Sequence, residues 1–334
     1  MTAPLGSRPE VPVQPVLAVG AHPAPERIGH EVLSGLRESP KSLPPKLFYD
    51  AAGAALFEQI CALDEYYPTR TELGILRANV KELAALAGPR CSLVEYGSGA
   101  GVKVRLLLDA LEEPVAYVPI DISHEQLAAV AADIAGEYPG LAVRPLAADY
   151  TMSLRLPGMP TTERRKLAFF PGSTIGNFHP TEAAAFLQRV RRAVGPGGAL
   201  ILGVDRRKDA RVLEAAYDDH EGVTAAFNLN MLARLNRELG ADFALSNFAH
   251  RAVWNDHASR IEMHLESLAR QVVHVAGEEV RFERSETIWT ESSYKYDRMR
   301  LDRLVAEGGF ELGRLWTDPG DLFWVAFLTV APRN

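Results

Sequence analysis

From residue 91 onward, short apolar runs alternate with stretches whose apolar residues recur every three or four positions. "CSLVEY" is one such run, followed by a glycine turn and the helical period of "VKVRLLLDAL". "VAYVPIDIS" is a second strand ending at Asp121, "HEQLAAVAADIAGEYPG" a helix with its stop, and "LAVRPLAADY" a third strand ending at Asp149. "RKLAFFPGST" reads as the fourth strand, "PTEAAAFLQRVRRAV" as a helix, "GPGG" as a turn and "ALILGVD" as the fifth strand. Strict alternation of this kind predicts an α/β fold with a parallel sheet, in which ligands bind beyond the carboxyl ends of the strands.

The flanks follow other periods. Residues 28–38 read as a helix, "KSLPPKLFYD" as a turn, and "GAALFEQICAL" as a helix ending near Asp64. "DEYYPTRTELGILRANVKELAALAG" reads as a loop feeding a long helix, with Thr69 or Thr71 as its cap. After the fifth strand the alternation stops. "DARVLEAAYDDHEGVTAAFNLNMLARLNREL" is helical, and "HRAVWNDHASRIEMHLESLARQVVHV" alternates like strands. This is too long for a loop and predicts a second, α+β domain. "YKYDRMRLDRLVAEGG" then predicts a helix, and "FELGRLWTDPGDLFWVAFLTVA" an antiparallel edge hairpin completing the sheet.

Composition narrows the function. With 334 residues, 47% hydrophobic and 24% charged, the chain has ample material for a core. Its net charge of -7 leaves no basic excess for phosphates, so a nucleic-acid partner is not expected. Cys61 and Cys91 are the only cysteines, which suits a reducing, cytoplasmic compartment. No apolar run reaches membrane-spanning length, and the proline-rich residues 1–27 read as a disordered tail rather than a signal peptide. The histidines show no metal-ligand spacing, and no metal is expected.

The candidate chemistry sits at the strand ends. The turn "EYGSGAG" carries Gly97, Gly99 and Gly101 as G-x-G-x-G, not the G-x-G-x-x-G of the dinucleotide fingerprint. Glu95 at the mouth of that turn would repel a pyrophosphate but tolerate a cationic amino-acid group. Asp121 is placed to accept ribose hydroxyls. Asp149 is placed to accept an adenine amino group, with Tyr150 against the purine. Each alone also reads as a strand-end cap. Together they read as a Rossmann-like class I methyltransferase core that binds S-adenosylmethionine. In "FFPGSTIGNFHP", Asn177 offers one acceptor and two donors for an amino acid, or simply a left-handed turn.

The stretches "KSLPPKLFYDAAGAALFEQI", "EYYPTRTELGIL", "GSTIGN", "AYDDHEGVTAAFNLNMLARLNREL", "RIEMHL" and "TESSYKY" are more specific. Through them the chain, over about 28–334, resembles the L-histidine Nα-methyltransferases of ergothioneine biosynthesis, which make hercynine by three successive methylations. The resemblance implies a substrate-binding domain from 28–69 and 206–295, and a methyltransferase domain from 70–205 and 296–334. It implies Gly97, Gly99 and Lys103 in the donor loop, with Asp121, Asp149 and Tyr150 on the donor's ribose and adenine. Asn177 and Tyr217 would hold the substrate carboxylate, and Tyr66 would sit near the α-amine as the catalytic position. Tyr49, Phe57, Gly172 and Thr224 would line the pocket. Glu291 and Ser293 would bond the imidazole, with Met263 beside it. Ser292 and Tyr294 stand where the family often has Val and Cys, which is harmless only if they face away. A monomer with free L-histidine as its small-molecule partner is expected. The alternatives are an N-methyltransferase for a tryptophan-derived or other amino-acid amine, and a non-catalytic S-adenosylmethionine-binding protein.

Overall fold

The first helix, α1 (Pro25–Leu36), buries Val32 and Leu36, one helical turn apart on one face. It opens a computed structural model that describes residues 25–330. The expected tail lies outside the described residues, except that α1 already begins at Pro25. There follow β1 (Lys41–Ser42), a 3₁₀ turn (Pro45–Phe48), α2 (Ala51–Ala62) and α3 (Tyr67–Ala87). Asp50 caps α2 by accepting the Gly53 N–H. The expected threonine cap of α3 is wrong. Tyr66 occupies the cap position and Pro68 the first turn, where a missing N–H costs nothing; Thr69 lies inside the helix and bonds the Cys61 sulfur instead.

The α/β alternation then runs β2 (Cys91–Tyr96), α4 (Val102–Ala110), β3 (Ala116–Asp121), α5 (His124–Glu137), β4 (Ala142–Val143), β5 (Leu146–Ala147), β6 (Arg165–Phe170), α6 (Pro180–Val194) and β7 (Ala199–Asp205). The expected third strand is thus two short pieces. Pro145 removes a ladder donor between them, and Asp149 lies just past the second piece. Helix α6 buries Ala183, Phe186, Leu187, Val190 and Val194, a helical stripe closed at its N-terminus by Glu182 accepting the His179 N–H.

Helices α7 (Ala210–Tyr217) and α8 (Val223–Leu239) come next, then β8 (Phe248–Asn255), β9 (Arg260–Ser267), β10 (Gln271–Val275), β11 (Glu278–Phe282) and β12 (Thr287–Tyr294). Helix α9 (Arg298–Glu307) leads into the hairpin β13 (Glu311–Thr317) and β14 (Phe323–Thr329).

The large sheet has the order β13-β14-β7-β6-β2-β3-β4, with β5 also paired to β3. Strands β4, β3, β2, β6 and β7 are parallel; β14 joins β7 antiparallel, and β13 forms the edge. The chain winds one way from β2 to β3 and β4, and the other way through β6 and β7. The switch point therefore lies between β2 and β6, where a ligand crevice opens. This is the expected Rossmann-like class I sheet with its antiparallel hairpin. A smaller sheet, β1-β12-β9-β8, packs its inner residues Ile261, Met263, Leu265 and Ile288 into a second core with Leu47, Phe48, Phe227 and Met231.

Candidate active site

The donor side is built on the first turn of the parallel sheet. Gly97, Gly99 and Gly101 all take positive φ (75°, 46° and 69°), a region that costs a side chain energy and that glycine enters freely. The buried Ser98 Oγ between them has no hydrogen-bond partner among the described residues. Asp121, at the end of β3, is held by the N–H groups of Gly99 (3.4 Å) and Ser123 (3.0 Å), which leaves lone pairs for a ligand. Asp149 folds one oxygen onto Thr151 (N–H 2.9 Å, hydroxyl 2.5 Å), leaving the other carboxylate oxygen outside that turn. Tyr150 lies against the Gly97 turn and packs edge-on against Tyr96, Phe170 and Phe186. An orphaned polar oxygen, a glycine cradle, two acids and an aromatic ring fit a nucleoside with a small zwitterionic tail. Glu95 is not at the mouth of the turn, as the sequence suggested. Its side chain is buried in the sheet and accepts the Tyr117 hydroxyl. Burial pushes its carboxyl up to about 8.

Lys103, at the start of α4, ion-pairs at 2.5 Å with Glu72, a fully buried carboxylate on α3. Glu72 also accepts the Gly172 N–H at the end of β6. Lys103 thus stands between the donor turn and a second cavity.

That cavity is lined by Tyr49, Phe57, Tyr66, Gly172, Asn177, Tyr217, Thr224, Met263, Glu291 and Ser293, every residue expected on the substrate side, together with Ile60, Ser173, Thr174, Ala216 and Phe227. Its aromatic wall is continuous. Phe57 meets Tyr49, Tyr66 and Phe227 at centroid distances of 5.8, 6.2 and 6.0 Å, and Tyr66 meets Tyr217 edge-on at 6.1 Å.

Two irregularities aim the polar groups. A bulge in β12 between Trp289 and Glu291 adds Thr290 to the strand. It shifts the alternation by one residue, so that Glu291 and Ser293 pair with Met263 and Ile261 on the inner face. Without it, Glu291 would share the outer face with Trp289. The residues Ser292 and Tyr294 are not part of the cavity wall, and the Tyr294 hydroxyl bonds Arg260 instead. The second irregularity is the 3₁₀ turn Thr174–Asn177. Positive φ there belongs to Gly172 and Ser173, not to Asn177, which sets aside the reading of Asn177 as a left-handed turn residue. Gly176 is needed for close approach: a Cβ there would lie 2.7 Å from the Tyr294 carbonyl oxygen. The turn therefore sits directly on β12, and Asn177 shares a cavity wall with Glu291, close enough to act on its carboxyl.

Behind this wall lies a charged group that the motif reading did not single out. Lys295 is fully buried; its ammonium donates to Tyr217 Oη and Ser293 Oγ (2.9 Å each) and pairs with Asp205 at 2.7 Å. Asp205 also accepts from Tyr67 (2.8 and 2.9 Å) and from Lys208 (2.5 Å). Burial alone would raise the Asp205 carboxyl, but the two ammonium groups outweigh it and hold it below the usual carboxylate range. Burial pushes Lys208 down to about 8 against the pull of Asp205. Burial likewise raises Glu291, to about 7, while Lys295 and Asn177 work in the opposite direction. The strand-end logic that picked out Asp121 and Asp149 also points to Asp205, which ends β7.

The chain is similar to several methyltransferases. The histidine N-alpha-methyltransferase of Mycolicibacterium smegmatis is 44% identical over 311 residues, covering 91% of this chain and 95% of that one. The Mycobacterium tuberculosis enzyme of the same name is 44% identical, covering 86% and 90%. A 4-dimethylallyltryptophan N-methyltransferase of Claviceps purpurea is 27% identical, covering 93% and 97%. Residues 28–330 match the family described as histidine-specific methyltransferase, SAM-dependent, and the chain belongs to that family of methyltransferases.

Proposed function

We propose that the protein methylates the α-amine of free L-histidine three times to give hercynine, the first step of ergothioneine biosynthesis. The observation that carries this reading is the convergence of Asn177, Tyr217, Glu291 and Ser293 in one cavity with an aromatic flank. In this reading, Asn177 turns an amide donor and Tyr217 its hydroxyl to the substrate carboxylate. Glu291 accepts an imidazole N–H, and Ser293 meets the other ring nitrogen. A carboxylate in a buried wall is costly unless a ligand pairs it, so an amino acid without a matching N–H is rejected.

Gly97, Gly99, Asp121, Asp149 and Tyr150 hold S-adenosylmethionine, with Lys103 beside its amino-acid end. The bound donor supplies an electrophilic methyl group on a sulfonium. The chain's task is then to orient an uncharged amine and exclude water. Tyr66 stands at the amine, and the rings of Tyr49, Phe57 and Phe227 offer π faces that accept a growing quaternary ammonium as readily as a primary amine. That tolerance supports repeated transfer.

Segments 28–69 and 206–295 act in this reading as a substrate-binding domain on the methyltransferase domain of 70–205 and 296–334. A cytoplasmic monomer is the proposed state. It draws support from two free cysteines and from the absence, among the described residues, of any helix long and apolar enough to cross a membrane.

The test is incubation with S-adenosylmethionine and each free amino acid, read by mass spectrometry. Histidine gaining three methyl groups, with tryptophan and tyrosine untouched, is the expected result. Methylation of an indole amino acid instead would keep the fold and chemistry but overturn the assignment of Glu291 and Ser293.

A further inference from the structure

We infer that Lys295, which faces the cavity only through other side chains, is a positioning residue that holds the hydroxyl oxygens of Tyr217 and Ser293 in place and favours the uncharged form of the substrate amine. The inference rests on the histidine reading above and adds a residue to it.

Three observations carry it. First, the three protons of the Lys295 ammonium have three acceptors: Asp205, Tyr217 Oη and Ser293 Oγ. Second, Tyr217 and Ser293 are themselves 2.8 Å apart, so three polar groups close a triangle. Each hydroxyl oxygen accepts from the ammonium, and one of the two donates to the other. Bonded to each other they keep one O–H to spare; a bound histidine draws the Tyr217 proton to its carboxylate and the Ser293 proton to its ring, while the ammonium holds both oxygens in place. Third, the charges do not cancel. Asp205 is the only carboxylate paired directly with either Lys295 or Lys208 among the described residues, so one positive charge is left over.

The other groups facing this cluster are Tyr66 and Tyr67 at the start of α3, Tyr217 of α7, Glu291 and Ser293 of β12, and Arg206 just past β7, whose charge is taken up by Asp321. Glu291 is the remaining carboxylate, and it is the group assigned to the imidazole. The surplus positive charge thus stands behind Ser293, assigned to the ring, and equally behind Tyr217, assigned to the substrate carboxylate. It attracts that carboxylate and repels an α-ammonium. An enzyme that needs a neutral amine and has no dedicated base at hand gains the nucleophile through this field. Nothing in the composition of "TESSYKY" distinguishes Lys295 from a surface lysine. Its full burial does.

The test compares wild type, Lys295→Met and Lys295→Arg, with Asp205→Asn/Lys295→Met as the charge-balanced variant in case Lys295→Met does not fold. Histidine binding is measured by calorimetry in buffers of different ionisation heat, with S-adenosylhomocysteine present, so that proton release is read apart from turnover. In wild type, binding near pH 7.5 should release close to one proton. The double variant keeps one surplus charge, on Lys208, and should lose affinity but still release a proton; in Lys295→Met, which removes the surplus, affinity should fall about tenfold to a hundredfold and proton release should shrink. In Lys295→Met the acidic limb of kcat, which reports the bound state, should move up by about one pH unit. Lys295→Arg should recover proton release while affinity stays reduced. In Lys295→Met, weaker binding with unchanged proton release and an unmoved kcat limb would show a purely structural lysine and overturn the inference alone; in the double variant, loss of proton release would overturn it. A wild-type protein that does not bind histidine would overturn the histidine reading and this inference with it.

Discussion

Glu72 of α3 reaches across the switch point to accept the main-chain N–H of Gly172 at 2.8 and 3.1 Å while pairing with Lys103 at 2.5 Å. One buried carboxylate thereby ties three separate segments together: the long helix, the turn after β6 and the start of α4. It fixes the floor between the glycine turn and the aromatic-walled cavity.

Glu72→Gln tests that tie. The amide can still accept the Gly172 N–H, but its other end presents N–H groups to the Lys103 ammonium. A loss of about 2 kcal/mol in urea unfolding is expected, with turnover down at least about tenfold. Gly203→Ala approaches the same carboxylate from β7, since its Cβ would lie 2.0 Å from Glu72 Oε1. It should reproduce both effects. A Gly203→Ala protein with wild-type stability would mean that Glu72 moves aside freely and is no tie.

Gly176→Ala addresses the opposite wall. Its Cβ would meet the backbone of Tyr294, at 2.7 Å from the carbonyl oxygen and 3.2 Å from the nitrogen, and neither atom can rotate away. The 3₁₀ turn must lift off β12. A loss of about 2 kcal/mol is expected, with a larger rise in the KM for histidine than in that for the methyl donor, because the displaced turn carries Asn177 out of the cavity wall. Equal rises in both KM values would assign the damage to the sheet as a whole.

How much of this was legible in the sequence differs from part to part, for physical reasons. The parallel strands are continuous apolar runs, so Asp121 could be placed at a strand end from periodicity alone. The third strand was less legible, because Pro145 splits it and Asp149 lies in a turn beyond it. Glu291 is a sharper case. Period-two alternation through "TIWTESSY" puts it on the face of Trp289, and only the bulge at Thr290, which has no local signal, turns it inward. The resemblance named Glu291, whereas the alternation misplaces it. Glu72 and Lys295 were illegible for another reason. On an amphipathic helix or at a strand end, an isolated charge reads as solvated, and its partner lies 31 residues away in one case and 90 in the other.

Buried Glu95 predicts an unusual pH response. Burial raises its carboxyl from 4.5 to about 8 in the folded protein. A carboxyl whose folded value is raised keeps its proton in the native state where the unfolded chain has lost it. Its effect is absent below about 4.5, and stability is lost as pH rises towards 8. Glu291, raised to about 7, acts in the same direction over the lower part of that window. Glu95→Gln keeps an acceptor for Tyr117 and removes the titration. Urea unfolding should show the variant more stable than wild type by about 2 kcal/mol at pH 8.5, with the difference shrinking towards pH 5. Parallel curves for the two proteins would show that Glu95 is ionised throughout.

The selectivity of the cavity turns on Glu291→Ala. In the proposed reading, removing the carboxylate takes away the acceptor for an imidazole N–H on the cavity wall. It also removes a group whose burial is costly whenever no ligand pairs it. The two effects separate substrates. Histidine, which uses the carboxylate, should bind about a hundredfold more weakly, while an aromatic amino acid such as tryptophan, which meets the rings of Tyr49, Phe57 and Phe227 without needing the acid, should bind no worse or better than before. S-adenosylhomocysteine, assigned in the proposed reading to Asp121 and the glycine turn, should bind unchanged. Calorimetry with the three ligands on wild type and variant reads all of this in one series. Undiminished histidine affinity in Glu291→Ala would remove Glu291 from the imidazole site and shift the burden of selectivity to Met263 and Ser293. Loss of S-adenosylhomocysteine binding would instead show that the variant disturbs the switch point from β12, through the turn that rests on it.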